Sequence, residues 1–172
     1  MRPDKIETPR EFFDHIVAVD FETLQADRLD LRSAFHACNS LLSLRDWVFI
    51  TQKNRPWSCG GVRQVPFDGK SKLQASLEAI DQRVATVTDI ANASKHMILG
   101  KDRRRTNLHG NANTVVQETH GGAIGSGPIG GAPIGGTTSR IVVKIDQNYI
   151  DVVGCVAATF SLWRALFSEN SW

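Results

Sequence analysis

Ten of the chain's fourteen glycines fall between Gly100 and Gly136, and residues 121–136 read GGAIGSGPIGGAPIGG. Glycine loses more conformational freedom on folding than any other residue, so no regular element is expected to run through this stretch. The core must come from the segments on either side. Pro-Ile-Gly-Gly occurs twice, at 128–131 and 133–136. Strand-like runs flank the segment at 114–119 and 140–145. The simplest reading is a two-stranded β-ribbon with the glycine-rich segment as its long tip. Such a ribbon is marginal alone and needs a body behind it.

That body reads as helical. Thr8-Pro9-Arg10-Glu11 is a capping box with proline at the first helical position. Phe13, Ile16, Val17, Phe21 and Leu24 then recur at helical spacing to about residue 26, with Asp20 interrupting the stripe. A second helix begins near Asp27 or Asp30, either of which can cap it, and runs to about Ile50. Residues 51–70, with Pro56, Pro66, Gly60, Gly61 and Gly69, read as an irregular connection that Trp57 pins to the body. Leu73, Leu77, Ile80, Val84, Val87, Ala91, Ser94 and Ile98 alternate steps of four and three, which predicts one long third helix stopping at Gly100. Asp146-Gln147-Asn148 reads as a turn, and a last helix follows from about Ile150 to Ser168. The expectation is a mainly α, single-domain four-helix bundle over residues 1–172, with 101–149 as a loop and β-ribbon insertion.

Composition bounds the class. Hydrophobic residues make up 41% and charged residues 22% of 172 residues, which supports a real core and argues against a disordered chain. No run reaches the ~20 apolar residues that span a bilayer. The first residues lack the apolar stretch of a secretory signal. Cys38, Cys59 and Cys155 are odd in number and lack metal-type spacing, which suits a reducing, cytoplasmic setting. Charge is uneven. Residues 1–50 carry six basic and nine acidic side chains, and residues 51–110 carry eleven and five. A basic middle section suits an anionic partner.

Two polar stripes stand out. Arg32, His36, Asn39, Ser43 and Asp46 share one face of the second helix, and Asp89, Asn92 and His96 share one face of the third. Antiparallel packing would bring the stripes together. His36, Asp46, Asp89 and His96 would then form an acid–base cluster, since histidine side chains exchange protons near neutral pH. The alternative is a hydrogen-bonded polar layer or a solvated face. The same His and Asp side chains could instead hold a divalent metal, but no Glu-x-x-His pair of the bundle di-metal type occurs, and the expectation is no metal and no cofactor. Lys95, His96, Lys101, Arg103, Arg104 and Arg105 form a basic cluster suited to phosphate contact, or a solvated basic turn. The glycine-rich segment has no Gly-Lys-Ser/Thr and no βαβ context, so it is not read as a phosphate loop or a dinucleotide fingerprint. Its Ile124, Ile129 and Ile134 offer docking contacts instead. No nucleophile elbow or zincin motif is present. Cys38 lies on the apolar side of its helix, as a core residue rather than a nucleophile.

The segments Leu31-Arg32-Ser33-Ala34-Phe35-His36-Ala37-Cys38-Asn39 and Asp89-Ile90-Ala91-Asn92-Ala93-Ser94-Lys95-His96 look like those of uncharacterised bacterial helical proteins that in turn resemble HEPN-type four-helix bundles. That family includes ribonucleases of toxin–antitoxin and antiphage systems, and non-catalytic members. Its ribonucleases use an Arg-x4–6-His motif in which the two side chains act on the scissile phosphate. Arg104 and His109 have that spacing but fall after the third helix; Arg32 and His36 lie on a helix with three residues between them. The resemblance implies a protein that binds or acts on RNA, toxin- or defence-associated and, if an enzyme, a metal-independent ribonuclease. The alternative is a non-enzymatic assembly module, with the ribbon and glycine-rich tip docking on a protein partner or a second copy.

Overall fold

A computed structural model describes residues 5–96, 115–121, 137–145 and 148–172. The glycine-rich segment from residue 122 to 136, the turn residues Asp146 and Gln147, the end of the expected third helix with Ile98 and Gly100, and the basic residues Lys101, Arg103, Arg104, Arg105 and His109 lie outside these. The protein is mainly helical with two small antiparallel sheets.

The chain enters at the expected capping box. Thr8 Oγ1 accepts from the Glu11 amide at 3.1 Å, and Glu11 Oε2 accepts from the Thr8 amide at 3.0 Å. The short helix α1 (Pro9–Phe12) runs into a π-helical turn (Phe13–Val17) and then α2 (Ala18–Ala26). The Phe160 ring takes Phe13 at 5.0 Å and Phe21 at 4.2 Å, so the π-helical turn and α2 close on one ring. Helix α3 (Leu31–Gln52) starts at Asp30, whose carboxylate accepts from the Arg32 and Ser33 amides. It buries Ala34, Ala37, Cys38, Leu41, Leu44 and Val48.

The connection after α3 is not irregular throughout. Strands β1 (Trp57–Cys59) and β2 (Val62–Gln64) pair across Gly60-Gly61. Both glycines have positive φ, 60° and 74°, the geometry a two-residue hairpin turn demands and glycine supplies without strain. Trp57 pins it as expected: the side chain is buried, its Nε1 donates to the Val65 carbonyl at 3.0 Å, and its ring meets Phe67 and Trp172.

The expected long third helix is two helices, α4 (Lys70–Ile80) and α5 (Arg83–His96). At Asp81 the backbone turns extended (φ −147°, ψ 110°), its N–H closes the last turn on Leu77, and its carboxylate accepts from the Arg83 amide at 2.9 Å. Aspartate competes with helix by bonding nearby amides, and here that competition wins. Leu73, Leu77, Val84, Val87 and Ala91 are buried as the spacing predicted, but Ile80 at the break is 39% exposed.

The ribbon has a third strand. Strands β3 (Val115–Gly121) and β4 (Thr137–Ile145) pair from Val115↔Val143 to Gly121↔Thr137, and β5 (Asn148–Asp151) pairs with the far edge of β4. Residues read as a turn and a helix start are therefore strand. Val115, Ile141 and Val143 join the helical core. The last helix, α6 (Val152–Glu169), is by length and composition apolar enough to cross a membrane, with mean hydropathy 1.2, but half of it is buried in this core.

The C-terminal end of α6 clamps the hairpin. Asn170 Oδ1 accepts from the Ser58 amide at 2.8 Å, its Nδ2 donates to the Ser58 carbonyl at 2.9 Å, and Glu169 accepts from the Gly60 and Gly61 amides. Trp172 packs on Trp163 and Phe167.

Asn170→Ala removes two hydrogen bonds from a partly buried backbone unit, and should lower unfolding stability by about 1–2 kcal/mol in urea denaturation. The cysteines give a second expectation. All three are free thiols; burial pushes Cys38 far up and Cys155 up to about 11, while Cys59 is only partly covered. A thiol reagent at neutral pH should label Cys59 in the folded protein, and Cys38 and Cys155 only after denaturation.

Candidate functional site

Helices α3 and α5 do pack together, and the α3 stripe touches α5 at Ser94, a residue outside the α5 stripe. Asn39 Nδ2 donates to Ser94 Oγ at 2.9 Å and to the Phe35 carbonyl at 2.9 Å. Ser94 was assigned to the apolar seam; it is exposed and bonds back to the Ala91 carbonyl. Among the described residues, Asn39 Oδ1 is buried without a partner.

The four residues of the expected acid–base cluster have different surroundings. Asp89 is 2% exposed, in the packed interior of α5. His36 opens to solvent on α3. His96 closes α5, and Lys95 beside it is exposed. Asp46 lies ten residues from His36 on the same helix, about 15 Å along its axis at ~1.5 Å per residue. It is held by Lys70 Nζ at 2.9 Å and Arg45 Nη2 at 2.7 Å. Partial burial works to raise the Asp46 carboxyl, but the hydrogen bonds from Lys70 and Arg45 outweigh it and hold the group below its usual range. Asp46 therefore belongs to an ion-pair cluster that joins α3 to α4, and is no partner for His36. Arg45 continues that cluster inward through Gln74, whose amide reaches Thr88 and Glu78. Of the stripe residues this polar layer includes Asp46; Arg45, Lys70, Gln74, Glu78 and Thr88 lie outside the stripes.

His36 has other neighbours. An open cleft of about 280 Å³ between α2 and the start of α3 is lined by Asp20, Thr23, Asp30, Arg32, Ser33 and His36. Three of these are structurally engaged. Asp30 takes the Arg32 and Ser33 amides at 3.0 and 3.1 Å and the Ser33 hydroxyl as well. Thr23 Oγ1 donates to the Val19 carbonyl at 2.8 Å. The hydrogen bond from Ser33, helped by the two amides and the Arg32 charge, holds the Asp30 carboxyl below its usual range. Asp20, Arg32 and His36 remain. Arg32 and His36 stand one helical turn apart on α3. The cleft thus offers a carboxylate, a guanidinium and an imidazole around one open volume, a set able to bind an anionic group and move a proton. Arg32 and His36 were legible as a stripe. Asp20 was missed as a partner, although a charged residue breaking an apolar stripe was the signal. Among the described residues no group of three His, Cys, Asp or Glu side chains is placed to hold a metal ion.

Asp30 ties this cleft to stability. Its folded-state titration is depressed, so its contribution is fully present above the unfolded carboxylate value, near 3.9, and is lost as pH falls from there through the lower folded-state value. Asp30→Asn preserves a good cap without the charge and should show a smaller loss of melting temperature between pH 5 and 3 than the parent. Asp30→Ala should melt lower already at pH 7. Equal acid sensitivity in all three proteins would assign the loss to other carboxylates.

Comparison of the chain with protein families, curated proteins and solved structures finds no match to any of them.

Proposed function

We propose that this protein binds RNA and acts on it at the α2–α3 cleft, as a HEPN-like member of the toxin- or defence-associated kind. The observation that carries this reading is the joint opening of Arg32 and His36, one turn apart, into the cleft that also holds Asp20. In this reading α2, α3, α5 and α6 form the four-helix bundle, and the β3–β5 sheet is the insertion between the last two. Arg32 holds the phosphodiester. His36 exchanges protons with the attacking or leaving oxygen, and Asp20 balances the imidazolium that results. The arrangement departs from the Arg-x4–6-His spacing by one residue, which on a helix improves co-facing, since positions four apart share a face.

Charge shapes the division of labour. Asp20 and Asp30 face one guanidinium, so the cleft is not a basic surface and supplies chemistry rather than affinity. Affinity for a polyanion then rests on the basic stretch that starts at exposed Lys95 and continues in sequence through Lys101, Arg103, Arg104 and Arg105.

The test is RNA cleavage by the purified protein in excess chelator, with binding followed in parallel. His36→Ala should lower cleavage by about 10²- to 10⁴-fold, the usual span for a lost proton-transfer group, and Arg32→Ala by about 10²- to 10³-fold, the span for a lost charge-stabilising donor, with unchanged melting temperatures because both side chains are exposed. Asp46→Asn should cleave like the parent. Neutralising Arg103, Arg104 and Arg105 together should weaken binding to all sequences and reduce the salt slope by about 0.7 per lost phosphate contact. A parent protein that neither binds nor cleaves RNA, or cleavage that persists in both cleft variants, overturns the reading.

A further inference from the structure

The β1–β2 hairpin has one covered edge and one open edge. In a two-residue hairpin the closing pair, here Cys59↔Val62, exchanges both hydrogen bonds, so at the next pair, Ser58↔Arg63, the backbone groups point outward. On the β1 side the outward N–H and C=O of Ser58 are met by Asn170. On the β2 side the corresponding groups belong to Arg63, and among the described residues no strand pairs with that edge. The side chains there are also unusual. Val62 is 62% exposed and Val65 82%, and Ile50, on the last turns of α3 before the hairpin, is 73% exposed. Arg55 and Arg63 are exposed and form no ion pair with any described residue. The carboxylates of this region are occupied: Glu169 by the turn amides, Asp68 by Lys72. The hairpin is also held in place by its glycine turn, by Trp57 and by the α6 clamp, so the open edge is preorganised.

We infer that β2 is a docking edge for an extended, acidic and apolar segment of a partner protein, which adds to it as a third strand. The Arg63 N–H and C=O supply the backbone ladder. Arg63 presents charge on one face of the strand and Val62 an aliphatic surface on the other, Val65 follows directly after the strand, and Arg55 adds a second cation. Three observations select this occupant. A second copy pairing twofold about Arg63 would set guanidinium against guanidinium, which opposes self-association. A nucleic-acid platform needs exposed aromatic rings, and the hairpin's one ring, Trp57, is buried. A membrane-interface site calls for the same aromatic anchors, and the exposed apolar residues here are aliphatic. The site lies apart from the α2–α3 cleft and does not depend on the RNA reading.

The experiment uses the full chain and two fluorescein-labelled octapeptides, Glu-Val repeated four times and Lys-Val repeated four times, read by fluorescence anisotropy. The acidic peptide should bind at least about tenfold tighter than the basic one, as expected when opposite charges meet and like charges repel across the edge. Arg63→Glu combined with Arg55→Glu should invert that preference; both positions are exposed, and circular dichroism checks that the variant folds. An acidic peptide N-methylated on every amide keeps its charge but has no N–H to donate on either edge, and should lose binding. Hydrogen exchange of the parent with the unmodified acidic peptide should show new protection at the Arg63 amide. His36→Ala should bind the acidic peptide like the parent, which separates this result from any failure of the RNA reading. Equal binding of the two octapeptides, undiminished binding of the N-methylated one, or displacement of the acidic peptide by single-stranded RNA or phosphatidylserine vesicles at lower concentration than unlabelled acidic peptide, overturns the proposal.

Discussion

The structure depends on one long helix being buried along several faces at once. Helix α3 has 22 residues, about 33 Å at ~1.5 Å per residue, and α2, α4, α5 and α6 all pack against it. Its buried set includes Ser33, Ser40 and Gln52 as well as apolar residues, because a helix used on several sides runs out of solvent-facing positions. Polar groups on it find partners within the fold, with one exception: Ser40 and Ser43 bond back to the preceding turn and Asn39 Nδ2 reaches across to Ser94, while Asn39 Oδ1 has no partner among the described residues. The two ends of α3 then set the two candidate surfaces. At its start, the Asp30 cap fixes the residues that line the cleft. At its end, the chain leaves into the hairpin.

The capped and strongly periodic elements were legible in the sequence. Thr8 and Glu11 named the first helix start, the second was narrowed to Asp27 or Asp30, of which Asp30 is the cap, and the buried positions of α3 and α6 followed their spacing. What failed was every place where a local backbone preference competes with a periodic stripe. Asp81 breaks a seam whose apolar residues stay in phase on both sides, so the period alone does not register the interruption. Gly60-Gly61 was read as loop composition, although two adjacent glycines between short runs containing Trp57 and Val62 are also a hairpin turn. Residues 148–150 form a strand because β4 offers them a free edge, a tertiary opportunity that no local sequence pattern encodes.

The candidate site was half legible for a similar reason. Helical spacing puts Arg32 and His36 together, but it cannot say which other element faces them. The sequence suggested α5 with Asp89; the cleft instead brings Asp20 from α2, and α5 answers Asn39 with Ser94. Asp46 shared the stripe with His36 yet belongs elsewhere, because Lys70 from the next helix reaches it first. A stripe on a helix of this length touches more than one neighbour, so membership of the stripe does not imply membership of one site.

The clamp between the hairpin and the end of α6 has a consequence for the order of events in synthesis. Ser58 is held by Asn170, 112 residues later in the chain, and Gly60 and Gly61 by Glu169, more than 100 residues later. Chains fold from the N-terminus as they are made, at about 5–20 residues per second. For the seconds it takes to produce the intervening segment, the hairpin has neither the Asn170 edge cover nor the Glu169 anchor, and both of its edges are open. The nascent hairpin therefore presents two unprotected edges where the finished hairpin, among the described residues, presents one, and the difference is removed by the arrival of two side chains.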